Sequence, residues 1–208
     1  MYLPISFRED NPETLHELIR QNNFGILVTQ RDGAPFATHL PFLLDSSRGP
    51  HGTLIAHLAR ANPQWRDFGG GEALTIFQGP HAYITPSWYE SMPSVPTWNY
   101  AVVHAYGIPR IVEDRDELYG MLERLVVNHE SPRPQPWPMD LSDEYMDRMM
   151  RAVVGFEIEI TRIEGKFKLS QNRSATDQQR VADELANSET PLDQAVAELM
   201  RAEQVPTV

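Results

Sequence analysis

The sequence predicts a mainly β protein with peripheral helices (α+β), its strands paired antiparallel, and three observations carry that prediction. Short runs rich in β-branched and aromatic residues recur from Phe24 to Glu113 and again from Val153, with turn residues between them. Most of these connections are too short for the crossover helices that a parallel sheet needs. No Gly-x-Gly-x-x-Gly follows a strand and no Walker-type phosphate loop occurs, so the wound nucleotide-binding folds lack their signature.

The elements follow in order. Residues 10–21, DNPETLHELIRQ, read as a capped helix with Asp10 or Asn11 at the cap, Pro12 in the first turn and Leu15, Leu18 and Ile19 on one face. FGILVTQ and APFATHLPFLL flank Arg31-Asp32-Gly33, which predicts a hairpin; Pro41 cannot donate to a ladder, so the second strand is an edge or is bulged there. TLIAHLA is a third strand running into NPQWRDF, a helix start with Asn62 at the cap and Pro63 at its first position. ALTIFQG and HAYITPSWY are two further strands, and WNYAVVHAYGIPRIVE reads as a long strand or a bulged pair. Residues 114–129 are helical, SPRPQPWP is a stiff connector, and SDEYMDRMMRAV is a short helix with an acidic first turn. VVGFEIEI and KFKLS predict a final hairpin, and two helical segments, about 174–208, close the chain.

Composition narrows the function. With 208 residues, 41% of them hydrophobic, residues 1–208 are expected to form a single domain. The start, MYLPISFRED, carries prolines and charges where a leader needs an apolar block, and no apolar run is long enough to span a bilayer, so a cytoplasmic protein with no membrane partner is expected. The absence of cysteine removes disulfides, thiolate catalysis and cysteine metal sites. The seven histidines fall in no ligand spacing, so no metal is expected, and no Gly-x-Ser-x-Gly elbow is present. A net charge of −11 opposes an extended nucleic-acid surface, whereas a few local donors suffice to hold a small anion.

Four clusters could supply such donors. In GKFKLSQN, Lys166, Lys168 and Ser170 share one strand face, followed by Gln171 and Asn172. They read either as an amphipathic hairpin, with Lys168 opposite Glu159 and Phe167 opposite Ile160, or as donors to a ligand. In IAHLARANPQW, Arg60 stands just before the cap at Asn62, a setting for phosphate or a plain capped helix. In FATHLPFLL, His39 beside Pro41 is either structural or a ligand donor at an open strand edge. In VPTWNYAVVHAYG, Trp98 and Tyr100 flank Asn99, which suits a flat heteroaromatic ring or a barrel core.

The blocks MYLPISF, HLPFLL, HLARANPQW, IFQGPHAYITPSWY, VPTWNY, VVGFEIEI and GKFKLSQN occur in this order over residues 1 to about 175. In this the chain resembles the PaiB-type FMN-binding negative transcriptional regulators. The resemblance implies an antiparallel split β-barrel of the pyridoxamine-phosphate-oxidase type, homodimeric, with FMN in a cleft between subunits. It further implies His39, Leu40 and Pro41 along the flavin, His57, Arg60 and Asn62 near its phosphate, Thr97, Trp98 and Asn99 lining the cleft, and Lys168, Ser170, Gln171 and Asn172 completing it. The loop ESMPS departs from the expected pattern, with Glu90 and no lysine. The implied activity is that of a flavin-dependent transcriptional regulator, with DNA as a further partner, or of a flavin redox protein. The alternative is a haem- or tetrapyrrole-binding barrel without DNA-binding activity. No residue stands out as a proton donor, and His39, His57 and His104 are the candidates.

Overall fold

A computed structural model describes residues 1–203; positions 204–208 of the expected helical tail lie outside the described residues. The elements are β1 (Arg8–Glu9), α1 (Pro12–Gln21), β2 (Phe24–Arg31), β3 (Ala34–Pro41), β4 (Leu43–Asp45), β5 (Thr53–Ala59), β6 (Ala73–Ile84), β7 (Thr97–Gly107), β8 (Pro109–Ile111), α2 (Arg115–Glu130), α3 (Asp143–Arg151), β9 (Val153–Glu159), β10 (Arg162–Lys168), α4 (Ala175–Ala186) and α5 (Pro191–Glu203). None of the described helices is long and apolar enough to cross a membrane. The described residues form two units, each assembled from separate stretches of chain.

The first unit comprises residues 1–22, 77–104 and the described residues from Glu164 onward. Its strands run in the order β1-β10-β7-β6, with Arg8 opposite Lys166. Asn11 caps α1 by accepting from the Glu13 N–H at 2.9 Å, with Pro12 in the first turn, as the sequence predicts. α1 buries Leu15, His16, Leu18 and Ile19, and Gly165 lets β10 pass beneath it, because a Cβ there would overlap Leu15. α4 and α5 bury Val181, Leu185, Val196 and Met200.

The second unit comprises residues 23–76 and 105–163. The β2–β3 hairpin closes through Asp32 and Gly33, with φ of 51° and 80°, and Arg31 opposite Ala34. Positive φ at both positions of a two-residue loop matches the twist of the flanking strands, which is why Asp-Gly predicts it. β3 ends the strand order, so Pro41 does lie on an edge. β4, β5, β9 and β8 form a second antiparallel sheet, and Ile55 of β5 packs with Leu118, Met121, Met146 and Met150 of α2 and α3.

Three expectations change here. ALTIFQG and HAYITPSWY form one strand of 12 residues rather than two. NPQWRDF forms a 3-10 turn of five residues, Pro63–Asp67, too short to present a helix dipole. The final hairpin does not form: β9 lies between β5 and β8, while β10 pairs with β1 and β7, so the register with Lys168 opposite Glu159 is not made. Both edges of β9 are already taken, and Ile160 instead donates its N–H to the Gly52 carbonyl at 3.0 Å.

Candidate functional site

In the second unit, β3 presents Leu40 to the interior and His39 to the surface, with Pro41 partly buried beside them; the His39 ring lies 6.4 Å from that of Phe24. Asn62 is anchored at both ends of its amide, donating to Thr38 Oγ1 at 2.9 Å and accepting from the Gln64 N–H at 3.0 Å. It thereby ties the 3-10 turn to the edge strand that carries His39. Arg60 donates through Nε and Nη2 to the carbonyls of Arg151 and Val153, both at 2.8 Å. The Arg151 carbonyl ends α3 and Val153 opens β9, so the guanidinium satisfies an orphan acceptor of the helix, opposes its dipole and ties it to the next strand.

His57 shares a face of β5 with Ile55 and stands opposite Gly155, where a Cβ would come within 2.6 Å of Leu118 and Met121. Its Nδ1 is buried with no hydrogen-bond partner among the described residues. Burial pushes the imidazole below its ordinary value of 6.5. Between that lowered value and 6.5 the unfolded chain binds more protons, so this group's contribution to stability is complete above about 6.5 and is lost on acidification. His57→Phe is expected to shrink the fall in urea midpoint between pH 8 and pH 5.5, measured against the unsubstituted protein.

In the first unit, Lys168 Nζ donates to Thr97 Oγ1 at 2.5 Å and to the Trp98 carbonyl at 2.6 Å, joining β10 to the start of β7. It lies 5.7 Å from the Phe7 ring, and Lys166 Nζ lies 5.4 Å and 5.5 Å from the rings of Tyr2 and Tyr100. Neither lysine has a carboxylate within ion-pair distance among the described residues. Burial first, then the charges of Lys166 and Arg173, push the Lys168 ammonium below its ordinary pKa.

The remaining polar residues of this group turn inward. Asn99 is fully buried and exchanges hydrogen bonds with Ser170 Oγ at 2.9 Å and 3.2 Å, against Met200. Ser170 adopts φ of 67°, a conformation costly for a non-glycine residue, and this exchange holds it. Gln171 folds back to accept from the Leu169 N–H at 2.7 Å and donate to the Phe167 carbonyl at 2.6 Å, standing in for a missing strand neighbour. Asn172 is exposed.

Sequence reading did not single out Gln78, His81, Arg173 or Asp177. Gln78, His81, Trp98 and Tyr100 line a cavity of 430 Å³; the His81 ring lies 6.1 Å from that of Trp98, and Tyr83, outside the lining, meets Trp98 at 5.9 Å. Gln78 and His81 lie within the block IFQGPHAYITPSWY, but nothing in it singles them out; their position on β6 beside β7 brings them in. Arg173 stacks on Tyr89 at 4.4 Å and reaches Ser94 Oγ at 3.3 Å. The buried Asp177 accepts from Ser91 Oγ and from the Glu90 N–H at 2.7 Å, and these bonds hold its carboxyl below the usual range. Glu90, the departure noted in the loop, pairs with Arg180 at 3.6 Å. Arg173, just after β10, and residues of α4 thus fix the loop that leads into Thr97 and Trp98.

A strand-rich framework that carries a lysine pair and an aromatic pocket has the chemistry to hold a flat, anionic ligand, and likeness to known proteins points to one. Residues 1–162 match the family described as "Putative FMN-binding domain". The chain is 42% identical over 202 residues to "Protease synthase and sporulation protein PAI 2" of Bacillus subtilis (strain 168), covering 96% of each. An uncharacterized protein of Emericella nidulans, AN0679, is 31% identical over 97% of this chain and 96% of its own length. The chain belongs to this FMN-binding, PaiB-type family, and its cofactor is FMN. Among solved structures, the FAD and heme binding protein from Mycobacterium smegmatis aligns with a TM-score of 0.58 at 15% identity, covering 82% of this chain and 78% of that one. The flavocytochrome Anf3 from Azotobacter vinelandii aligns with a TM-score of 0.57 at 12% identity, covering 77% and 69%. At these identities the likeness establishes the fold, a mainly antiparallel split barrel with helices around it.

The residues present fit the cofactor. Lys166 and Arg173 raise the electrostatic cost of the Lys168 ammonium, and no carboxylate pairs with it among the described residues, which is the condition a phosphate corrects. The aromatic pocket beside Lys168 suits a planar ring with polar edges.

Proposed function

We propose that the chain is a cytoplasmic homodimer of single-domain subunits that binds FMN at the subunit interface and uses it as a flavin-dependent regulator or redox protein. The observation that carries this reading is Lys168, a part-buried ammonium with two neutral acceptors, two cationic neighbours and no acidic partner among the described residues. When bound, FMN supplies reversible electron transfer; the chain's own part is to hold and orient it.

Lys168, with Thr97 and Trp98 fixing its amine, is assigned to the anionic end of the cofactor. Trp98, with His81, Tyr100 and the Gln78 amide, offers the ring a stacking surface and hydrogen bonds at its edge. Asn99, Ser170 and Gln171 act behind that surface by fixing the end of β10. On the other unit's surface, His39, Leu40 and Pro41 line the flavin along the open edge of β3, and Asn62 holds that edge to the turn after β5. His57 and the remaining N–H groups of Arg60 lie on the phosphate side, with Asn172 completing the rim.

Dimerisation is supported by aromatic surface on each unit. Phe24 is 65% exposed in one, and Tyr83 and Trp98 are 48% and 52% exposed in the other. Such surface on sheet faces is what an obligate interface removes from water. The regulatory half of the reading leans on the printed name of the Bacillus relative, which ties that protein to protease synthesis and sporulation.

The test has four arms. Absorbance and mass analysis of the copurifying small molecule, together with light scattering, are expected to give FMN and twice the chain mass. A gel-shift series over salt is expected to show one operator retained above bulk DNA if the regulatory half holds. Sequence-blind retention lost at moderate salt leaves the redox half. A sharpened Soret band on adding haemin, with no quenching of FMN, would replace the flavin reading by the haem one.

A further inference from the structure

A second cavity is larger than the aromatic pocket lined by Trp98 and Tyr100. It lies in the first unit between α1, α5 and the middle of β6, and encloses 920 Å³, within the range of small-molecule sites. Its walls are apolar, from Leu18 on α1, Leu192 and Leu199 on α5, and Phe167 on β10. Its polar lining is neutral amides, Thr14, His81 and carboxylates. Glu13, Glu17 and Glu198 line it, and neither lysine nor arginine does.

The charge is only partly met. Arg20 Nη1 lies 3.3 Å from Glu13 and 3.4 Å from Glu17, so one guanidinium is shared between two carboxylates. Glu198 has no cationic partner among the described residues. Glu13 and Glu17 are 80% and 53% exposed, so the three carboxylates stand at the mouth of the apolar hollow, where at low ionic strength they repel an anion, attract a cation and leave a neutral ligand no electrostatic gain. A bare metal ion requires converging oxygen ligands rather than leucine walls.

We propose that this cavity binds a small organic cation, an amine carried on an apolar or aromatic body, as a second ligand distinct from the flavin. The apolar part occupies the hollow between Leu18 and Leu199, and the ammonium faces the glutamates at the rim. Gln78 and His81, hydrogen-bonded at 3.3 Å, line both this cavity and the aromatic pocket, so the two ligands share a wall.

The experiment titrates purified full-length protein with 2-phenylethylammonium and, separately, with 3-phenylpropionate, by calorimetry at low ionic strength. Two variants are run beside it: Glu17→Gln/Glu198→Gln, which keeps shape and removes charge, and Ala195→Trp, which fills the hollow. The amine is expected to bind saturably, to weaken about tenfold in the charge variant, and to be lost in the filled one. FMN titrated into the same samples is expected to bind unchanged, which separates failure of this site from failure of the flavin reading. Equal binding of the propionate, no saturable amine binding, or amine affinity indifferent to Ala195→Trp overturns the proposal. Conversion of the filled variant to a different oligomer, with neither probe binding, overturns it in favour of a second copy of the chain.

Discussion

Lys168→Met is expected to weaken FMN binding about ten- to a hundredfold, the equivalent of a charge-assisted hydrogen bond worth about 1.5–3 kcal/mol. Methionine keeps an apolar stem near Phe7 and removes the ammonium. Two of the three amine donors are spent on Thr97 and the Trp98 carbonyl, which aims the remaining one. The sign of the stability change separates this from a folding defect. Burial and two like charges disfavour the Lys168 ammonium, so its removal relieves a cost that offsets the two lost hydrogen bonds. The FMN-free variant is therefore expected to melt within a few degrees of the parent while FMN fluorescence quenching shifts to higher protein concentration. Lys168→Arg restores the charge but not the compact amine that fits between Thr97 and Trp98, and is expected to recover only part of the affinity. Unchanged quenching in Lys168→Met would remove β10 from the cofactor site.

What the sequence made legible follows from the range of the interactions involved. The Asp32-Gly33 hairpin, the Asn11 cap and the edge position of Pro41 are local, and each was readable because backbone conformation or a missing N–H decides it within a few residues. The β9–β10 hairpin was misread for the opposite reason. Alternation marks a strand but not its neighbour, and β9 is claimed by β5, more than ninety residues earlier in the chain. The structural part played by Arg60 was not legible, because its acceptors, the Arg151 carbonyl that ends α3 and the Val153 carbonyl that opens β9, are 91 and 93 residues away. Ser170 and Gln171 looked like three-in-a-row donors with Asn172, yet both are consumed by the chain's exit from β10. Gln78 and His81 lie in a block that marks the family but not their role, since only the pairing of β6 with β7 sets them beside Trp98.

Gln64→Leu is expected to destabilise the protein by about 2–4 kcal/mol, the cost of leaving more than one buried acceptor unpaired. Gln64 is fully buried, and its Nε2 faces the Leu27 carbonyl at 3.2 Å, Thr29 Oγ1 at 3.2 Å and the Phe36 carbonyl at 3.1 Å. One amide thus pins both strands of the β2–β3 hairpin to the 3-10 turn that Asn62 caps. Leucine fills nearly the same volume and donates nothing, so the loss in urea midpoint reports unpaired acceptors rather than a cavity. Gln64→Glu is expected to be worse, since a carboxylate would face three acceptors with no water to shield it. The same variants also test the cofactor assignment on this unit, because His39, Leu40 and Pro41 lie on the strand that Gln64 secures. If the hairpin loosens and FMN affinity falls with it while Lys168 is intact, the edge of β3 is a wall of the flavin site. If stability drops and affinity does not, the flavin rests on the lysine and aromatic side alone.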